Sequence, residues 1–544
     1  MVGVIFGILC FAASLTPSLL PRQFPVQGAL SGLAFAVGYG AGRLIFLTWQ
    51  FLEIPLPRAR LQRLFKWSIS LAALVIAVAF LTQITRWQNS IRALMDMEPE
   101  ASAYPIRVAL IAIVAGAVFI TCGRGIEALW RLVNRRLERL IPRRVSLAVS
   151  AVLVTLLLVL TVNKVFARFA LRTADQAFLE LDKAIDEDHT IPVNPLASGS
   201  AQSLIQWDSI GRRGKNFIAR GPTQADISQF LGRPAKQPIR VYAGFRSSDD
   251  IDARAQLAFE ELKRVGGFDR SILIVATPTG TGWLDENAVD TVEYLHAGDT
   301  AIVAMGYSYL PSWMTLLVDP DRSRTSARAL FSRVYGYWKT LPHDRRPKLY
   351  LHGLSLGSLG AESCADLFTL IGDPIQGGVF SGPPFPSTMW NQITHDRNPD
   401  SPVWMPRFQD GSVVRFTGRQ NALNRFGDRW GPIRFVYIQH PSDPMTFFST
   451  DMLYREPDWL QGKRGPDVSP ELRWHPVITF LQVGFDLTTS TSVPLGFGHK
   501  FDAPSYIDAW IAVTDPPNWT ADDTRRLKAK FAATSTKAPS LSSP

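Results

Sequence analysis

The chain has 544 residues, of which 46% are hydrophobic and only 19% charged, with a net charge of +10 and a mean hydropathy of +0.05. Soluble domains carry about one-quarter charged residues, so the composition is skewed toward the apolar. Ordinary Gly and Pro content, plentiful apolar residues and three cysteines exclude collagen-like, disordered and disulfide-stapled classes. A basic balance fits either a nucleic acid or a membrane surface. Nearly all the hydrophobic excess precedes about residue 165, with the densest basic runs lying between apolar stretches there. The reading is therefore a membrane protein, with the bilayer as partner and no nucleic acid.

Four long uncharged stretches, 1–21, 23–42, 67–85 and 145–163, approach the roughly 17–25 residues that cross a hydrocarbon core as a helix. A fifth, 108–123, is slightly short, and Arg107 and Arg124 at its ends can snorkel. About five spans are expected. Arg58, Arg60, Arg63 and Lys66 lie between spans two and three, and seven arginines, from Arg124 to Arg144, between spans four and five. The other two loops are weakly basic or mixed. The positive-inside bias puts the basic loops in the cytoplasm and everything after about Lys164 outside. Gly28/Gly32 and Gly38/Gly42 are small-xxx-small pairs that permit close helix approach. The apolar stripe Ile126, Trp130, Val133, Leu137, backed by arginines, reads as an interfacial helix or as a loop helix packed on its neighbours.

Residues 166–186 read as a helix leaving the membrane and 189–203 as a connector. From about Pro238, short β-branched runs alternate with amphipathic helices. Strands are expected at 239–245, 271–277, 300–305, 348–351, 378–381 and 433–439, with helices near 253–265, 287–296, 323–341 and 358–371. Such alternation argues a mostly parallel sheet covered on both faces. The implied organisation is a helical transmembrane domain (1–165), a juxtamembrane helix and connector (166–237), an α/β domain with cap-like insertions (238–534) and a disordered tail (535–544).

One motif carries chemistry. Lys348-Leu-Tyr-Leu-His-Gly353-Leu-Ser355-Leu-Gly357 reads as a strand, a G-x-S-x-G turn and a helix. Glycines flank the serine because the turn is tight, and the hydroxyl is projected above the sheet. A nucleophilic serine needs a base and an acid, in the order Ser…Asp/Glu…His. Four histidines follow Ser355: His395, His440, His475 and His499. His499, on a glycine-rich loop ahead of the expected last helix, 505–513, is the candidate base. His440 ends a strand, where a structural hydrogen bond is expected, and His475 is expected to pack in a Trp-rich insertion. The acid should lie just past a strand, which selects Asp443 over Asp428, Asp458 and Asp467. For the oxyanion, one donor is the backbone N–H of Leu356, and the second is expected at Thr279 or Gly280 in the turn after the strand 271–277. No metal-ligand spacing and no nucleotide motif appears, so no cofactor or metal is expected.

With these residues assembled, a resemblance is apparent. The chain resembles a group of bacterial α/β-hydrolase membrane proteins with a multi-span N-terminal domain, within the α/β-hydrolase superfamily. Its carriers are Leu15-Thr-Pro-Ser-Leu-Leu-Pro-Arg22, Ile210-Gly-Arg-Arg-Gly-Lys-Asn-Phe217, Ala276-Thr-Pro-Thr-Gly-Thr-Gly-Trp283, Tyr307-Ser-Tyr-Leu-Pro-Ser-Trp313 and Gln439-His-Pro-Ser-Asp-Pro444. The resemblance implies a serine hydrolase site in a bacterial cytoplasmic membrane protein, without a defined substrate. One departure is a helix, not a hairpin, between the strands at 239–245 and 271–277. Two Trp- and Pro-rich insertions, 383–430 and 445–491, read as active-site caps or as small satellite cores. The expected function is a membrane-anchored esterase or lipase-like hydrolase acting on a lipid or acylated envelope component. An acyltransferase with the same triad, and a non-catalytic membrane scaffold or transport accessory, are the alternatives.

Overall fold

The computed structural model describes residues 1–53, 59–160, 189–366, 371–427 and 429–537. The expected helix 166–186, Asp428 and most of the expected tail lie outside these residues. The chain divides into two compact units, and the division is not linear. Residues 1–170 with 448–494 form one, and residues 171–447 with 495–544 form the other.

Among the described residues the N-terminal part of the first unit holds five helices: α1 (Val2–Ser14), α2 (Phe24–Phe51), α3 (Ala59–Leu94), α4 (Pro105–Leu137) and α5 (Arg143–Leu160). Among the described residues three, in α2, α3 and α4, are long and apolar enough to cross a membrane, and α1 is a shorter apolar helix. Prolines in the first turns of α2 and α4 cost nothing there, because those N–H groups have no intrahelical acceptor. Side chains such as Leu71, Leu74, Leu110, Ile113, Val114 and Val152 face outward, a surface that suits a lipid environment. Both glycine pairs of α2 are contact sites. A Cβ at Gly28 would sit 2.6 Å from Ile111 Cβ of α4, and one at Gly38 would sit 2.5 Å from the Phe6 carbonyl of α1. The basic stripe from Ile126 is no separate interfacial helix, since it continues α4 to Leu137.

From Phe448 on, the second insertion belongs to this unit. Its helix Ile478–Asp486 packs on α1 and α2. Arg22 Nε donates to Asp486 Oδ1 at 2.8 Å, with both side chains wholly buried. Leu19 N–H donates to Asp486 Oδ2 at 3.2 Å, Arg22 Nη1 to Gln27 Oε1 at 2.8 Å, and Gln482 Nε2 to the Thr16 carbonyl at 2.9 Å. Farther along, Glu471 accepts from Arg86 at 2.6 Å and from Trp87 Nε1 at 2.9 Å. The insertion thus grips the C-terminal ends of α1 and α3 and the turn before α2, where the first and third interhelical loops lie.

The second unit is a seven-stranded, all-parallel sheet of β1 (Ile239–Ala243), β2 (Ile272–Thr277), β3 (Thr300–Met305), β4 (Lys348–Leu354), β5 (Gly377–Ser381), β6 (Val414–Thr417) and β7 (Arg434–Ile438). Their spatial order is β1-β3-β2-β4-β5-β7-β6. The strands are buried along almost their whole length, as expected of a parallel sheet covered on both faces. Helices α6 (Ile251–Arg264), α7 (Glu286–Leu295), α8 (Asp321–Trp338), α9 (Leu356–Glu362) and α10 (Ala503–Thr514) supply the cover. Strand β6 is the one the sequence reading missed, since Val414-Arg-Phe-Thr417 is short and buried in the aperiodic first insertion. The strand order reverses between β2 and β4. The chain leaves β2 toward β3 on one side and β4 toward β5 on the other, which opens a crevice at the carboxyl ends of β2 and β4.

Candidate active site

Ser355 stands at the carboxyl end of β4 with φ 59° and ψ −126°, a strained backbone for a non-glycine residue. The flanking glycines are obligatory by contact. A Cβ on Gly353 would lie 2.2 Å from the Gly357 carbonyl carbon, and one on Gly357 would lie 2.1 Å from the Thr277 carbonyl oxygen at the end of β2. Ser355 N–H donates to the Ser381 carbonyl at 2.9 Å, tying the turn to the end of β5. Ser355 Oγ is buried and has no hydrogen-bond partner among the described residues.

Asp443 and His499 are brought together. Asp443 follows β7 and is fully buried, and its Oδ2 accepts from His499 Nδ1 at 2.7 Å. The carboxylate is fixed by the Met445 N–H on Oδ1 at 2.9 Å and the Thr446 hydroxyl on Oδ2 at 3.2 Å. With Nδ1 donating to the carboxylate, His499 Nε2 is the free, basic nitrogen. That nitrogen is buried without a partner among the described residues, like Ser355 Oγ. The imidazole lies against the residue that follows Ser381, since a Cβ on Gly382 would come within 2.5 Å of His499 Cε1. Gly382 has φ +51°, so a side chain there is excluded twice over.

His440 makes the structural hydrogen bond its position suggests. Its Nδ1 pairs with the Gly498 carbonyl at 2.9 Å, and its ring stacks on Phe501 with centroids 4.6 Å apart. Ser442 Oγ accepts the Gly498 N–H at 2.9 Å. Together they clamp the backbone beside His499 from both its donor and its acceptor, a role for Gln439-His-Pro-Ser-Asp443 that its strand-and-turn pattern does not reveal. His475 lies in the second insertion and His395 ends a surface helix. Asp458 opens a short 3₁₀ turn of the insertion, and Asp467 lies in the same insertion.

The turn after β2 differs from expectation in detail. Thr279 N–H is already donated to the Trp283 carbonyl at 2.9 Å, and Gly280 N–H to Ser312 Oγ at 3.1 Å. The first bond belongs to the turn itself, so Thr279 N–H is not available to an oxyanion. The second ends on a hydroxyl that can rotate away, which leaves Gly280 and Leu356 as the backbone donors still compatible with that role.

A polar relay supports the sheet beneath. Ser381 Oγ and the Tyr506 hydroxyl are 2.7 Å apart, and Tyr506 also bonds the carboxylate of Asp285, the N-cap of α7. Burial, then the neighbouring Glu286, pushes the Asp285 carboxyl up to about 8. Burial likewise raises Glu362 of α9 to about 7, although it accepts from the Tyr437 hydroxyl at 2.9 Å. No cluster of three metal-ligating side chains occurs among the described residues.

A Trichoderma reesei cutinase in complex with a C11Y4 phosphonate inhibitor is similar at 14% identity, over 44% of this chain and 88% of that one, with a TM-score of 0.18. Comparison with curated proteins finds no significant match. Residues 239–527, more than half the chain, match the model of the alpha/beta-hydrolase family, and residues 15–222 match that of the alpha/beta-hydrolase family N-terminus. The parallel sheet, the G-x-S-x-G turn at its switch point and both matches lead to one conclusion: the chain belongs to the alpha/beta-hydrolase family.

Proposed function

We propose that the protein is a membrane-anchored serine hydrolase that cleaves a carboxylic ester, with a lipid or acylated envelope component as substrate. One observation carries this reading: Asp443 fixes the Nδ1 side of His499, while His499 Nε2 and the hydroxyl of a strained elbow serine are both left buried and unpaired. In the proposed mechanism His499 Nε2 takes the Ser355 proton as Oγ attacks the ester carbonyl. The oxyanion is held by the N–H of Leu356 and, after rotation of Ser312, that of Gly280. His499 then protonates the leaving alcohol, and water attacks the acyl-enzyme by the same route in reverse. Asp443 holds the tautomer and stabilises the imidazolium throughout.

The apolar helices of the first unit supply the anchor. For orientation, the insertion 448–494 grips the helix ends at the first and third loops, opposite the arginine-rich ones. It is continuous in sequence with β7 and with the His499 loop. If the basic loops are cytoplasmic, the chain that carries Asp443 and His499 is outside the cytoplasmic membrane, which supports an envelope substrate.

Labelling of the detergent-purified protein with a fluorophosphonate tests the chemistry. Wild type is expected to label at Ser355 and Ser355→Ala not at all. A folded wild-type protein that fails to label overturns the hydrolase reading in favour of a binding scaffold.

A further inference from the structure

Within the first unit, a groove of about 400 Å³ runs between α1 and α3. Leu9, Ala12 and Ala13 form one wall and Ile76, Phe80 and Trp87 the other, with Thr16 at the end of α1. Glu471, Arg473 and His475 of the insertion close one end. The walls are apolar and every polar ionisable group lies at that end, so the groove has the polarity of an acyl chain and its head group. Its depth comes from alanines where larger side chains would fill the space.

The charge at the closed end is unbalanced. Glu471 is taken by Arg86 at 2.6 Å and by Trp87 Nε1 at 2.9 Å. Arg473 is exposed and makes no hydrogen bond or ion pair with any described residue. Burial, then the positive charge of Arg473, lowers the pKa of the nearby Arg464, whose guanidinium is spent on the carbonyls of Ser469 and Pro470 at 2.9 Å each. Burial also lowers that of His475, so the fixed cations here are arginines. Arg86 and Arg473 against Glu471 leave a net positive charge beside the apolar slot, whereas Arg464 lies off the groove and is opposed by Glu456.

We infer that this groove is a binding site for a membrane phospholipid, one acyl chain lying between α1 and α3 and an anionic head group meeting Arg473. The site uses none of the residues proposed for ester chemistry, and holds whether or not Ser355 is a nucleophile. Because the insertion closes the groove, an occupied site also braces the contact between that insertion and the helices.

The test uses the full-length protein, delipidated in mild detergent and titrated with phosphatidylglycerol or phosphatidylcholine carrying brominated acyl chains, with quenching of tryptophan fluorescence as readout. Wild type is expected to show a saturable phase that favours phosphatidylglycerol by at least about fivefold, the worth of one basic residue near an anionic lipid. Arg473→Glu should abolish that preference while a saturable phase for phosphatidylcholine remains, and Ala13→Phe should remove the saturable phase for both lipids. Equal binding of the two lipids by wild type, or a preference that survives Arg473→Glu, overturns the proposal. So does a saturable phase that persists in Ala13→Phe with unchanged melting; if that variant does not fold, Arg473→Glu decides alone.

Discussion

Asp443 is a buried carboxylate with its hydrogen bonds filled by Met445, Thr446 and His499. Asp443→Asn keeps the shape but offers an amide where Nδ1–H needs an acceptor, which favours the tautomer with its proton on Nε2. Ester turnover is expected to fall by about 10⁴-fold, as in a comparable protease triad, with melting nearly unchanged; Asp458→Asn should leave turnover intact. Asp285 makes a different prediction. Its carboxyl keeps its proton in the folded state up to about 8, against 3.8 when unfolded. The folded state then binds the extra proton, so this residue's stabilisation is complete below 3.8 and is lost as pH rises toward 8. Asp285→Asn retains an N-cap acceptor and should flatten the fall of Tm between pH 5 and 8.5. Thermal scans at several pH values check this, and an unchanged slope would refute it. The residues of the candidate site were legible in sequence where chemistry imposes a pattern, as with the glycine-flanked Ser355. The Asp285–Tyr506–Ser381 relay was not, because it joins three distant stretches that no local spacing marks.

At the level of elements, the turn at Ser355 and the face of α2 depend on the same thing, the absence of a side chain. Gly357→Ala would drive a methyl group into the Thr277 carbonyl at the end of β2. Backbone cannot yield as a side chain does, so loss of both labelling and folding yield is expected. Gly32→Leu would press on the Ala112 carbonyl and the Ala115 methyl of α4. Overpacking of this kind costs about 1–3 kcal/mol, to be read as a lower melting temperature in detergent with Ser355 still reactive toward the probe. Most strands and helices expected of the α/β unit agree to within a few residues at each end, because a parallel sheet buried on both faces demands unbroken apolar runs. The helix expected at 358–371 stops at Glu362, and a further helix, Ala521–Lys537, follows the one expected to be last. β6 escaped because Val414–Thr417 is flanked by Gly, Asp and Arg, with Arg415 buried and bonded to three backbone carbonyls, so hydropathy hides it. In the other unit the helices outrun the apolar stretches, as α3 and α4 do, since backbone hydrogen bonding does not stop where hydropathy falls.

For the whole molecule, the orientation argument gives a direct measurement. A reporter active only outside the cytoplasm, fused after Pro544, should be fully active, whereas fusion near Arg136 should silence it; the reverse pattern would place Ser355 inside. The ion pair of Arg22 with Asp486 tests the long-range packing. Both side chains are inaccessible to water, so Asp486→Ala strands a guanidinium and should cost about 3–5 kcal/mol, whereas an exposed pair such as Arg525–Asp522 should be worth less than about 1 kcal/mol. Sequence alone gave no hint of this pair, because Asp486 lies in a stretch that reads as an appendage of the α/β unit and its partner sits at the end of a hydrophobic span.

That nesting bears on how such a protein can be inherited and re-engineered. Most catalytic domains behave as portable modules, free to be cut out or joined to new neighbours at a linker. Here the gene encodes a host within a guest: residues 448–494 leave the α/β unit just after Asp443, fold with the helices, and return just before His499. Removing everything before residue 189 would strip Gln482 and Asp486 of the groups that satisfy them, so the trimmed chain is expected to aggregate rather than yield a free-standing α/β unit. Fusion or loss at the obvious boundary therefore damages both halves at once, and the two must be gained, lost and transplanted together.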